Sequence, residues 1–180
     1  VISDLYTDNL AYQAKVSCSN EKEGFPSSHL TDGREDTFWA PASDESAYVL
    51  EIDLGQTRSF NLVEIREPIA KGQRIAGFTL EVKQENGWTV FARGQTIGYK
   101  RLLLGQMVEA RYLRLTLTDF QVLPLLNKFA VYKTPAVLEK KNTIAGLEFS
   151  KISSPLVGGQ NPSISLRRLD KVEDREKIQI

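Results

Sequence analysis

Cysteine, histidine and methionine each occur once in this 180-residue chain, and their scarcity excludes several chemistries. A single thiol, Cys18, closes no internal disulfide, and its place in the alternating segment AKVSCS is that of a small apolar residue. His29 has no second histidine or cysteine with which to build a transition-metal site. Nor does Ser27-Ser28-His29 carry a third group that would orient the imidazole for nucleophilic work. Charge of one sign is also missing. Lysine plus arginine and aspartate plus glutamate both number 23, so no basic surface recommends nucleic acid as a ligand. No apolar run approaches the roughly 20 residues of a membrane-spanning helix, and no segment has the periodicity of an amphipathic helix. Asn161 is followed by Pro162, which removes the one Asn-x-Ser glycosylation acceptor. The chain opens on Val1 with no leader-like segment, and reads as a mature protein or an excised piece of a larger one.

What is there in abundance is period-two alternation. In AGFTLEVKQENGWTVFA, Phe78, Leu80 and Val82 alternate with Thr79, Glu81 and Lys83. Asn86-Gly87 then has the composition of a tight hairpin turn, and Trp88, Val90 and Ala92 resume the alternation. Leu50, Ile52 and Leu54 mark another strand, residues 60–65 a further one after a turn at Gly55-Gln56, and Leu113, Leu115 and Leu117 a third. Residues 13–19 and 128–133 complete the series, while residues 102–105 are apolar and broken by Gly105. About eight short strands separated by turn formers predict an all-β fold, an antiparallel β-sandwich or jelly roll with a C-terminal extension. Residues 1–8 read as a lead-in and residues 9–134 as the sandwich. Residues 135–180 form an extension with brief alternations at 147–149 and 164–166 and a charged tail. The expected core is Leu50, Ile52, Leu54, Ile65, Phe78, Leu80, Val82, Leu113, Leu115 and Leu117.

The acidic groups come closest to catalytic chemistry. Asp32, Glu35 and Asp36 share one loop, and Glu64 and Glu67 lie near another, but acidic loop residues are ordinarily solvated surface. A glycosidase needs two carboxylates at defined separation, and no catalytic pair is assigned. The loop at residues 30–39 is rich in oxygen ligands of the kind that wrap a hard cation.

Four segments together carry a family likeness: DGREDTFWA, LEIDLGQTRSFNLVEIREPIAKGQRIAGFTLEV, GWTVFARGQTIGYKRLL and RYLRLTLTD with FAVY. They resemble a discoidin-like module, the coagulation-factor C-type or galactose-binding-like sandwich that includes the family 32 carbohydrate-binding modules. REPIAKGQRIAGF followed by GQTIGYKRL is similar, more narrowly, to the C-terminal β-sandwich of the bacterial and other family 29 α-L-fucosidases. The resemblance covers roughly residues 9–134 and implies a non-catalytic accessory domain. Its partners would be an upstream catalytic barrel and carbohydrate, fucosylated or galactose-containing glycans, with neither nucleic acid nor membrane. It also implies a periplasmic or secreted location. A barrel takes about 250 residues, so this chain holds none. The alternative is a free-standing discoidin-type module for adhesion or membrane surfaces, for which residues 69–71 and 122–125 would be the tips.

The same resemblance implies a set of site residues. Arg66, Gln73 and Arg74 stand where family 32 modules carry an arginine and an amide, and Phe120 where they place a stacking aromatic. Trp39 is either a further sugar-facing aromatic or core, and Arg66 either a ligand or a salt-bridge partner of Glu64 or Glu67. Tyr99, Lys100 and Arg101 are candidates for contact with another domain. Asp32 and Thr37 match the family's calcium ligands, but Lys128 stands where a carboxylate is expected. An ammonium there repels a dication and can bond the same oxygens, so calcium is disfavoured, Lys128 is expected to order the loop, and no other cofactor is indicated.

Overall fold

The computed structural model describes residues 8–134 and two short strands beyond them, Leu147–Phe149 and Leu166–Arg168. The chain divides into two units after Pro135. The first is antiparallel throughout its strands: β1 Lys15–Cys18, β2 Tyr48–Arg66, β3 Ile75–Gln84, β4 Gly87–Gly94, β5 Arg101–Phe120 and β6 Lys128–Tyr132.

Two long strands organise it. β2 and β5 run 19 and 20 residues and pair with each other in three stretches, Tyr48–Asp53 against Leu117–Tyr112, Arg58–Phe60 against Ala110–Val108, and Leu62–Ile65 against Leu104–Arg101. Between these stretches the register shifts at Asp53/Arg58 and Phe60/Leu62, and Gly55 takes a φ of +78° that a side chain would resist. Each long strand therefore bends and serves two layers. The larger layer runs β1, first half of β2, second half of β5, β3, β4; the shorter runs β6, second half of β2, first half of β5. The strands expected at 49–54 and 60–65 are thus one bent strand. Gly105 does not end β5 either: a Cβ there would lie 2.8 Å from the Phe91 ring, so the glycine makes room for that ring inside the strand.

All ten expected core residues are buried. The larger layer's Leu50, Ile52, Phe78, Leu80 and Leu115 pack in one cluster with Phe60, Val63, Ile65, Phe129 and Val131 of the shorter one, which is the sandwich interior. The central hairpin departs from expectation in two ways. Gln84 pairs with Gly87, so the turn residues are Glu85 and Asn86; Gly87, at φ +112°, alone takes the positive angle. That placement spares Asn86 the left-handed region. Next, the β3–β4 register shifts between Leu80 and Glu81, which turns Phe91 inward beside Phe60 (ring centroids 5.8 Å) and leaves Val90 outward.

The second unit contains β7, Leu147–Phe149, paired antiparallel with β8, Leu166–Arg168. The first matches the expected alternation; the second begins at Leu166, where the expected one ended. Residues 1–7 of the lead-in and the charged tail lie outside the described residues.

Candidate functional site

At the end of the shorter layer where β2 stops and β5 and β6 begin, four loops enclose a cleft of about 300 Å³. Its apolar part is Phe38, Pro68, Ile69 and Ala70; its polar part includes Arg66, Glu35, Lys71 and Asn127; Tyr99 closes one side. Two backbone bonds hold the loops to the sheet end, Glu67 N–H to Gly98 O at 2.9 Å and Asn127 N–H to Arg66 O at 3.0 Å.

Glu67 does more than begin a loop. Its side chain is 1 % exposed, and its carboxylate accepts from the backbone N–H of Arg74 (2.7 Å), Ile75 (3.0 Å) and Gly98 (2.7 Å). One buried charge thereby clamps the segment REPIAKGQRI to the segment GQTIGYKRL, and Tyr99 follows directly on the clamped Gly98. Charge-assisted bonds to backbone amides are how a lone carboxylate is accommodated without a cation.

Glu64 solves the same problem with cations. It is also 1 % exposed; Arg66 Nε donates to its carboxylate, Lys128 Nζ stands 3.6 Å away, Lys100 Nζ 4.0 Å, and Tyr132 Oη 3.4 Å. Arg66 completes its own set with Glu35 at 3.1 Å and lies over the Tyr99 ring, 5.5 Å from the centroid. Burial works against the Arg66 charge, but the Glu64 hydrogen bond and nearby carboxylates outweigh it and hold the guanidinium above its ordinary pKa. The guanidinium is therefore a fixed cation, and Tyr99 above it is 63 % exposed. A planar aromatic face, an apolar patch and oriented polar groups in one open cleft suit a ligand with a C–H face and hydroxyls.

The structure sorts the expected site residues. Arg66 is in the cleft, and its Glu64 ion pair is present as well. Trp39 is not a sugar-facing aromatic: it is fully buried, stacked edge-on against Tyr48 at 5.8 Å, with its backbone bridged to Leu126. Phe120 pairs with Ile75 and packs on Tyr48 at 5.2 Å, away from the cleft residues. Arg74 uses its guanidinium to bond the carbonyls of Lys71 and Leu123, which ties two loops together, and Gln73 is exposed beside Gly98. Tyr99 and Lys100 belong to the Arg66–Glu64 cluster, whereas Arg101 opens β5 next to Gly94. Glu64 and Glu67 read as solvated acids in the sequence; local composition does not mark a buried carboxylate when part of its partner set, Gly98 for Glu67 and Lys100 and Lys128 for Glu64, lies 31 or more residues away.

Lys128 does not order the loop at residues 30–39, since its ammonium is drawn to Glu64 instead. That loop holds itself. Asp32 accepts from Arg34 N–H at 2.8 Å through one oxygen and from the Thr37 hydroxyl at 2.8 Å through the other. Both oxygens are engaged, and among the described residues no cluster of three or more His, Cys, Asp or Glu is placed to hold a metal.

Residues 13–124 match the F5/8 type C domain. Over 148 residues the chain is 32% identical to alpha-L-fucosidase 1 of Arabidopsis thaliana, covering 78% of this chain and 29% of that protein. The crystal structure of SpGH29 is 44% identical with a TM-score of 0.70, and the likeness covers 74% of this chain and 30% of that one. A chitosan-binding module of a Paenibacillus sp. IK-5 chitosanase/glucanase shares the fold, at 23% identity and a TM-score of 0.62, over 69% of this chain and 99% of its own. The chain thus spans less than a third of the two longer proteins.

Proposed function

The chain belongs to the F5/8 type C domain family, and from that premise we propose that it is the non-catalytic accessory domain of an α-L-fucosidase-type glycoside hydrolase, with carbohydrate bound at the Tyr99–Arg66 cleft. The observation that carries the reading is the exposed Tyr99 ring, backed by a fixed guanidinium and set beside an apolar patch on loops pinned by Glu67. Sugar rings stack on such a face through their C–H groups while hydroxyls bond at the edge. In the Paenibacillus protein the same fold is found with chitotriose. Glu64 and Glu67, both buried and both fully engaged, offer no acid–base pair, so the chain alone hydrolyses no aryl fucoside. The fold needs no calcium, and the protein works in the periplasm or outside the cell.

The test is a calorimetric titration with fucosylated and galactose-containing oligosaccharides. Weak saturable binding that Tyr99→Ala abolishes, without loss of thermal stability, supports the reading; binding unaffected by Tyr99→Ala overturns it. One observation favours a membrane-surface reading: Arg74 ties the loop bearing exposed Ile69 to the one bearing exposed Val122 and Leu123. Cosedimentation with phosphatidylserine vesicles that Val122→Asp removes would favour it.

A further inference from the structure

We propose that Tyr12 is a second sugar-stacking platform, which extends the Tyr99–Arg66 cleft across the loop at residues 30–39 so that the ligand is an oligosaccharide rather than a single terminal sugar. The inference rests on the carbohydrate-binding reading above.

Among the described residues the two most exposed large apolar side chains are both tyrosines, Tyr99 at 63 % and Tyr12 at 57 %. Tyr12 is set by a turn that works against backbone preference. Ala11, before it, is fully buried. Gln13, after it, holds φ at +57°, the one positive φ of a non-glycine residue among those described. A residue with a Cβ keeps that conformation only where its surroundings fix it. Here Tyr12 N–H donates to Asn9 O at 3.1 Å, Gln13 N–H to Thr31 O at 2.8 Å, and the Thr31 hydroxyl to Ala14 O at 2.8 Å. The turn is thereby tied to buried Thr31 on both sides of Tyr12's neighbour. Backbone strain of this kind collects where a side chain is aimed at a ligand.

The ring is laid on the cleft's own loop. A Cβ on Gly33 would lie 2.8 Å from the Tyr12 ring, so only glycine lets the ring rest there, and Gly33 itself takes φ +80°. Arg34 comes next and bonds the Asp36 carboxylate through Nε at 3.1 Å and through a terminal nitrogen at 2.8 Å. Asp36 and Glu35 both line the cleft, and Glu35 reaches Arg66 at 3.1 Å, beneath the Tyr99 ring. Gly33 and Glu35 are two residues apart, at most ~7 Å of extended chain. One short loop therefore carries an exposed ring at its Gly33 end and meets the other through Glu35. Between them the exposed Arg34–Asp36 pair supplies donors and acceptors for hydroxyls. Two spaced aromatic faces with polar groups between them fit a saccharide chain, which offers a C–H face on successive rings.

The experiment titrates L-fucose, 2′-fucosyllactose and a fucosylated hexasaccharide into the 180-residue chain and its Tyr12→Ala and Tyr12→Phe variants. Affinity should rise with saccharide length in the wild type. Tyr12→Ala should lose about tenfold on the hexasaccharide, the loss expected of a truncated aromatic anchor. It should leave L-fucose binding and the melting temperature unchanged, and Tyr12→Phe should bind as the wild type does. In the wild-type chain, the Tyr12 ring resonances should shift with the hexasaccharide and stay fixed with L-fucose. Hexasaccharide binding that Tyr12→Ala does not weaken, or affinity independent of length, overturns the second platform and leaves the cleft reading standing. Equal losses on L-fucose and hexasaccharide would mean that Tyr12 acts only by supporting the loop, and the proposal falls. Binding of none of the three sugars overturns both readings.

Discussion

Removing the Glu67 carboxylate is the sharpest single perturbation of the site's framework. Its Oε1 receives Arg74 N–H and Ile75 N–H, and its Oε2 receives Gly98 N–H. In Glu67→Ala the buried Ile75 amide is left without an acceptor, at a cost of about 1–3 kcal/mol. The Arg74 and Gly98 amides are part-buried and can take water, so each loses about 1 kcal/mol of net hydrogen-bond stabilisation. The total is roughly 3–5 kcal/mol, a large share of the 5–15 kcal/mol by which small domains are stable. Glu67→Gln separates the two ends of the clamp. Its oxygen can keep Arg74 and Ile75 while its amide N–H₂ confronts the Gly98 N–H, so about 1–2 kcal/mol is lost and the damage stays in the Tyr99 loop. Urea unfolding gives the magnitudes, and amide hydrogen exchange reports Ile75 and Gly98 separately. An unfolding midpoint for Glu67→Ala within error of wild type, with Gly98 still protected, would refute the clamp.

Three further outcomes follow from the same geometry. Leu115, fully buried and paired with both Leu50 and Leu80, should cost on the order of 2–5 kcal/mol when cut to alanine, read as a shifted denaturation midpoint. Chelator should leave the melting temperature unchanged, and Lys128→Glu should lower it with no rescue by added calcium, because the new carboxylate would face buried Glu64. Asp53 has its pKa lowered, first by the Arg111 hydrogen bond and also by the Gly55 N–H. A folded value below the unfolded one stabilises above the unfolded pKa of about 3.9 and is lost as pH falls through the folded value. The small deficit of Arg111→Ala should therefore be present at neutral pH and vanish in acid, as stability measured across pH will show.

Most of the fold could be read from the sequence because alternation reports burial directly: Leu50, Ile52 and Leu54, or Leu113, Leu115 and Leu117, needed no knowledge of their partners. What escaped depends on distant neighbours. Gly55 looked like a turn, yet it bends one strand between two layers, and only pairing with β5 on both sides reveals that. Asn86-Gly87 looked like the turn itself, but the register set one residue earlier decides which of them takes positive φ. The site was half legible. Arg66 and the two loop segments were marked by their motif; Trp39, left between sugar face and core, is core, and Lys128 was misdirected by position along the chain. Trp39 follows the loop but is pulled inward by its bridge to Leu126, and Lys128 sits opposite Arg66 across β2–β6, which hands its ammonium to Glu64.

A sugar bound to this domain should lie in the Tyr99–Arg66 cleft. Titrating a fucosylated oligosaccharide into the isotopically labelled chain while recording amide and arginine side-chain resonances places the ligand residue by residue. Shifts should concentrate on Phe38, Arg66, residues 69–71, Tyr99 and Asn127, and they should disappear in Tyr99→Ala. Shifts centred instead on Phe120, or on residues 122–123 alone, or no shifts at millimolar sugar, would contradict a binding role for this cleft.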